Sequence, residues 1–396
     1  MKAWANASYP ARTGRVETYS YGSEMRGLAS GKSRHTCRTL LETDITGRKT
    51  MELSRKTTAA LRATSAATAI AVGMFGASFA SAQTELRLHT FVGPSHIIYT
   101  NILEPLAAEI EERSGGELTL TLYPSMQLGG GAPQLIRQAQ EGTVDMVFSL
   151  PGYTSPQFPR TQMIELPGLS EDGVASTTLM WELLENGYLD PEFDGLKVLA
   201  LWAADDAGIY TRERPIRAME DIEGMILRSP SAAQAGQIEA LGGTPVAMPI
   251  TELYPQLERG VIDGAMVPFT TILDFRMHEV ANYYTLTGPI FGRSQFTVVM
   301  NEGSYNNLSE EHQAILDDLT GIELSRRATE AYLARADESV EFVRNDSSKE
   351  VIEFSEEEQA RVLEALSPIY AEWAAEMEAQ GIDGRALLAV AGITLD

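Results

Sequence analysis

Gln134-Leu135-Ile136-Arg137-Gln138-Ala139-Gln140-Glu141-Gly142-Thr143-Val144-Asp145 reads as a helix end, a glycine stop and a β-branched pair leading to an aspartate that enters a strand. Later in the chain Gln256-Leu257-Glu258-Arg259-Gly260-Val261-Ile262-Asp263 repeats the pattern. Glycine after a helix is common on its own account, so the surroundings decide what the echo means. Ahead of the first copy, Leu86–Phe91 and Leu118–Tyr123 alternate like strands, and a helical pattern from Ile97 to Arg113 stops at Gly115-Gly116. Pro133–Glu141 predicts a short helix and Met146-Val147-Phe148 a short apolar strand. Around the second copy, Val198–Trp202, Met225–Leu227 and Pro245–Met248 read as strands, and Ser231–Leu241 as a helix closed by Gly242-Gly243. Strands alternating with helices over short connections make parallel α/β units. Two such units in one chain predict an α/β fold of two lobes with a cleft between them.

The last hundred residues read as mostly helical. Ser309 suits the N-cap of a helix running into the Leu319–Phe342 region, and Ser355-Glu356-Glu357-Glu358 is a capping box. Ile369, Trp373 and Met377 fall on one helical face and read as core.

The charge is uneven along the chain. All 396 residues carry 31 basic and 55 acidic side chains, a net −24, with one cysteine, Cys37. Residues 1–50 hold nine Lys/Arg against four Asp/Glu. From Met51, the basic Arg55, Lys56 and Arg62 lead into a small apolar run, Ala63–Phe79, that ends in Ala80-Ser81-Ala82. That order predicts a signal peptide over 51–82, cut after Ala82, with Met51 the true start and 1–50 a misassigned extension. Residues 83–396 then carry 19 basic and 50 acidic side chains, a net −31, and no cysteine. The expected product is periplasmic, with no membrane insertion after cleavage, because nothing else approaches a spanning length. Such acidity excludes nucleic acid as a partner.

Chemistry-bearing motifs are sparse. The exported part has no cysteine nucleophile, no H-E-x-x-H, no G-x-S-x-G and no G-x-x-x-x-G-K-[ST]. Gly129-Gly130-Gly131 reads as a flexible loop, and the histidines His89, His96, His278 and His312 are scattered. Asp205-Asp206 is a weak cation candidate that reads better as solvated acid. No enzyme, cofactor or metal is expected. One cation stands out. Arg228 ends the apolar strand Met225–Leu227 just before Ser229-Pro230-Ser231 opens a helix, the place where open α/β sheets bind ligands. A guanidinium there is either a carboxylate clamp, holding two parallel hydrogen bonds, or one half of a structural ion pair.

Together these stretches resemble the periplasmic solute-binding proteins of TRAP (tripartite ATP-independent periplasmic) transporters, DctP type. The matching segments are Tyr123–Gly129, Gly142–Met146, Ile222–Pro230, Glu252–Tyr254 through Gly260–Gly264, and His278–Tyr284, in order across nearly all of Gln83–Asp396. The resemblance implies a two-lobed periplasmic-binding-protein-like fold (class II-like), with hinge strands and a long bridging helix. Lobe I would take 83–206 and lobe II 207–292, with 293–396 returning to lobe I and adding C-terminal bracing helices. It implies a receptor for a small organic acid ligand that docks on TRAP permease subunits, with Arg228 as the carboxylate clamp. In the sialic-acid-binding pattern a second arginine lies twenty residues before the clamp, and here that place is Gly208. An asparagine in the strand after the aspartate is here Val267. Losing both polar contacts points to a compact or aromatic monocarboxylate, including keto acids. The candidate ligand-binding set is Arg228 and Ser229, with His96 and Val267, and the aromatics Phe91, Tyr153, Trp202, Phe269 and Phe291 that follow predicted strands. An ABC-type receptor, a sensor-linked binding protein and, less readily, an exported enzyme on the same scaffold remain alternatives on the residues alone.

Overall fold

The computed structural model describes residues 83–395; the predicted leader lies outside them. Strand β1 (Thr84–Thr90) is followed by a helical stretch that becomes regular over Glu104–Arg113. That helix ends where Gly115 and Gly116 take positive φ and the Gly116 amide donates back to Glu111 O at 2.8 Å. Strand β2 (Leu118–Tyr123) then lies parallel to β1, with Leu88 opposite Leu122. The helix Leu135–Gln140 and β3 (Met146–Ser149) complete the first α/β unit, with β3 parallel on the other side of β1. Asp145 holds this unit together, because its carboxylate accepts from the Arg87 amide and the Ser304 hydroxyl. The echoing aspartate, Asp263, accepts from the Ile226 amide at 2.7 Å, so both copies use the acid to pin a neighbouring strand.

β4 (Leu196–Ala203) runs out of the first sheet through Ala204-Asp205-Asp206 and becomes β5 (Ala207–Thr211) of a second sheet. There follow β6 (Ile226–Ser229), the helix Ala232–Ala240, β7 (Thr244–Ala247), the helix Ile250–Glu258, β8 (Gly264–Pro268) and β9 (Tyr283–Leu286). The chain returns through Thr287–Ser294 into β10 (Gln295–Asn301), which is antiparallel to both β3 and β4. The first sheet is ordered β2-β1-β3-β10-β4. The two crossings lie side by side, with the Ala204 amide on Ser294 O at 2.9 Å. Arg293, 3% exposed, ties them by donating to Asp206, to Ser170 and to the Glu171 carbonyl.

A helix of 23 residues, Ile322–Arg344, braces both sheets. Ser325 accepts from the Leu201 amide at 2.9 Å and Thr329 donates to Ala203 O at 3.2 Å. Beyond it, β11 (Glu350–Glu353) pairs parallel with β9, giving the second sheet the order β11-β9-β5-β8-β6-β7. That strand was not anticipated by the sequence reading of the helical C-terminal part. The capping box at Ser355 is half formed. Ser355 caps the Glu358 amide, but the Glu358 carboxylate goes to the Met219 amide at 2.7 Å and to Arg361. Trp373 and Met377 are core, while Ile369 is only partly buried.

Candidate functional site

Strand β6 reads Ile-Leu-Arg-Ser, with Leu227 in the core of the second lobe and Arg228 2% exposed at the junction of the lobes. Nε of Arg228 donates to Met248 O at 2.9 Å, which fixes the plane of the guanidinium. Its amino groups lie beside Tyr153 and toward Glu165, both from the first lobe, on the wall of a cavity. Burial lowers the Arg228 pKa from its ordinary value, and Tyr153 and Glu165 push it back up. An arginine stays cationic through such a shift.

The cavity is lined from both lobes. Phe91, His96, Leu150, Tyr153, Ser294 and Phe296 come from the first, and Arg228, Pro230, Ile250, Val267, Pro268, Thr271 and Phe275 from the second. Tyr332 of the long helix completes the wall. The cavity is narrow, with a volume of about 20 Å3. The lobes are joined across it. The Ile250 amide donates to Tyr153 Oη at 2.9 Å, the Ala232 amide to Ser155 Oγ at 3.2 Å, and the Ile97 amide to Asp274 at 3.0 Å.

Five of the nine sequence candidates meet here: Arg228, Phe91, His96, Tyr153 and Val267. Four do not line the cavity. Trp202 is wholly buried behind it, stacked on Phe148 and Phe296, with its indole N–H unpartnered. The Ser229 hydroxyl donates locally to Ser231 O at 3.2 Å. Phe291 joins the apolar cluster of the second lobe with Ile209 and Met266. Phe269 leans the other way, into a hinge-side groove of about 800 Å3 lined by Asp172, Asp206, Asp337 and Glu341. That groove is larger, but its acidic wall suits no anion. The helix N-terminus after Arg228 is also occupied, since Ser231 caps the Gln234 amide and Ser155 takes the Ala232 amide. Asp205 is not the solvated acid expected. It is 2% exposed and accepts from the Phe269 amide at 2.6 Å and from Thr270.

Phe275, Phe296, Tyr332 and Glu165 were missed. Phe296 and Tyr332 sit on a strand and a helix, where periodicity reads an aromatic as core, and no local sequence signal separates the two roles. Around the cavity burial shifts the ionisable groups toward their neutral forms, while Arg228 stays cationic. His96 Nδ1 accepts from the Ile98 amide at 3.1 Å, and burial, aided by Arg335, lowers its pKa to about 3. Asp274 is pushed up to about 6 by burial, with the Ile97 amide and Arg335 opposing.

Residues 88–377 match the family model of the bacterial extracellular solute-binding proteins, family 7 (DctP). The chain belongs to this family. Its family-7 relatives include the 2,3-diketo-L-gulonate-binding periplasmic protein YiaO of Escherichia coli, 29% identical over 209 residues. That alignment covers 52% of this chain and 63% of the relative. Among solved structures, a marine metagenome TRAP solute-binding protein specific for aromatic acid ligands, in complex with metahydroxyphenylacetate, is 29% identical with a TM-score of 0.75. The match covers 78% of this chain and 97% of that one. A TRAP solute-binding protein from Rhodoferax ferrireducens, holding copurified benzoate, is 28% identical with a TM-score of 0.73, over 78% and 96% of the two chains. The α/β architecture of two lobes is thus that of the family-7 binding proteins.

Proposed function

We propose that the chain is a periplasmic receptor that captures an aromatic monocarboxylate between its lobes and delivers it to TRAP permease subunits, for uptake driven by an ion gradient. One observation carries the reading: a buried guanidinium, fixed by Nε on Met248 O with no ion pair among the described residues, on the wall of a mostly aromatic and aliphatic interlobe cavity. A carboxylate takes two parallel hydrogen bonds from such a fork. The ring of the solute would lie among Phe91, Tyr153, Phe275 and Phe296, with Val267 as an apolar wall. The other arginine near the cavity, Arg335, is engaged by Asp274 and Glu338 and offers no second clamp. That balance favours one carboxylate over two.

The narrowness of the cavity means that the solute gains access by separation of the lobes. It then exchanges water for Arg228 as they close. The similar structures that hold metahydroxyphenylacetate and benzoate support the aromatic reading. Export depends on the proposed signal peptide over 51–82, which lies outside the described residues. A thermal-shift screen of benzoate, phenylacetate, short aliphatic acids, keto acids and neutral sugars tests the reading. Stabilisation by an aromatic acid is expected. Stabilisation by a neutral sugar, with none by any acid, would overturn it.

A further inference from the structure

The buried stripe of the long helix steps along the first sheet toward the cavity. Ser325 meets Leu201, and one turn later Thr329 meets Ala203, the last residue of β4. The next residue of the stripe, Tyr332, therefore passes the end of the strand and enters the cavity wall. Its ring stacks on Phe296 at 5.1 Å and meets His96 edge-on at 6.0 Å, leaving it 2% exposed. A phenylalanine would serve that packing equally well. Among the described residues the hydroxyl has no hydrogen-bond partner, yet it is not one of the side-chain atoms sealed from solvent, so it stays reachable from the cavity; the backbone carbonyl of Tyr332 accepts from Thr270. A phenol on a cavity wall that spends its O–H on no protein group is open to a partner inside the cavity, water or solute. The protein groups nearby are already engaged. Asp274 holds the Ile97 amide and Arg335, and Asp205 holds the Phe269 and Thr270 amides. Burial, with Asp274 and Asp205 close by, keeps the phenol protonated. A neutral O–H can donate to an uncharged oxygen of a solute, while the neighbouring Asp274 and Asp205 disfavour a second carboxylate there.

We infer that the Tyr332 hydroxyl, presented by the bracing helix, is a second polar contact to the solute and selects aromatic monocarboxylates that carry a ring hydroxyl. The inference rests on the aromatic-acid reading above. Isothermal titration of the full chain and of Tyr332→Phe with benzoate and its three monohydroxy isomers tests it, the readout being the affinity ratio of each isomer to benzoate. At least one isomer should bind the unaltered chain about tenfold more tightly than benzoate, and Tyr332→Phe should remove that preference. A ratio that Tyr332→Phe leaves unchanged would overturn the role of the hydroxyl, whether or not both affinities fall together, since that marks a packing role. Equal affinity of the unaltered chain for benzoate and every isomer would overturn it too, and leave the aromatic-acid reading standing. Binding of none of the four would remove both.

Discussion

Glu165 lies fully buried where the lobes meet. One carboxyl oxygen accepts from the Ser231 hydroxyl, and the other has no protein partner. The backbone is tight around it, since a Cβ at Gly292 would come within 1.7 Å of Glu165 O. Burial pushes the carboxyl up to about 8, against the smaller pulls of Ser231 and Arg228. A raised carboxyl means that the folded chain keeps a proton which the exposed group, at 4.5, gives up. Its contribution to stability is full below that value and is lost as pH rises to about 8. Melting curves from about pH 5 to 8 should show the unaltered chain losing ground to Glu165→Gln, whose amide mimics the neutral acid. Parallel curves would show that the carboxyl is ionised throughout. His96 acts in the opposite sense, because its pKa is lowered to about 3: stability falls as pH drops below 6.5. At Gly208 the argument is steric. An added Cβ would lie 2.1 Å from the Phe269 ring and 2.8 Å from Thr285 O. Gly208→Ala should cost about 1–3 kcal/mol in urea denaturation, and Phe269→Leu in the same chain should recover part of it. An aromatic ring thus fills the space over Gly208, where the sialic-acid-binding pattern would lead one to expect an arginine.

At the scale of elements, the regular pieces were legible because each carries its own period and stop. Leu118–Tyr123 alternates and forms β2, Ser231 caps the helix after Arg228, and Ser309 caps the next C-terminal helix. Arg228 stood out because it closes an apolar strand before a helix, but position alone left clamp and ion pair equal, and only the family resemblance separated them. Tyr332 did not stand out. Its helix has an ordinary buried stripe, and that stripe turns from core to cavity only because β4 stops at Ala203 while the helix continues. Phe269 and Phe291 follow predicted strands as Phe91 does. Which side of the crossing strands each ring takes is decided by neighbours distant in sequence, Gly208 for one and Ile209 and Met266 for the other. Strand β11 was hidden in a helical stretch because it is four residues long and pairs with β9, far back in the chain.

For the whole molecule, the acidity first noted in the sequence sets the binding problem. Residues 83–396 carry a net −31, so long-range attraction cannot bring in an anion. On the proposed function, capture would depend on short-range contacts inside the interlobe site, where a charge-assisted pair is screened little by salt. The architecture supplies those conditions. Two crossings tied by Arg293 join the sheets, and the long helix reaches from the first sheet to the strand that extends the second. Tyr153 lies against Ile250 across the lobes, and the Arg228 fork lies on the cavity wall between them. The measurement that bears most directly on this account is isothermal titration of benzoate into the unaltered chain and into Arg228→Ala. The account predicts a loss of about 2–5 kcal/mol of binding free energy on removing the guanidinium. Equal affinity of the two proteins for benzoate would contradict it.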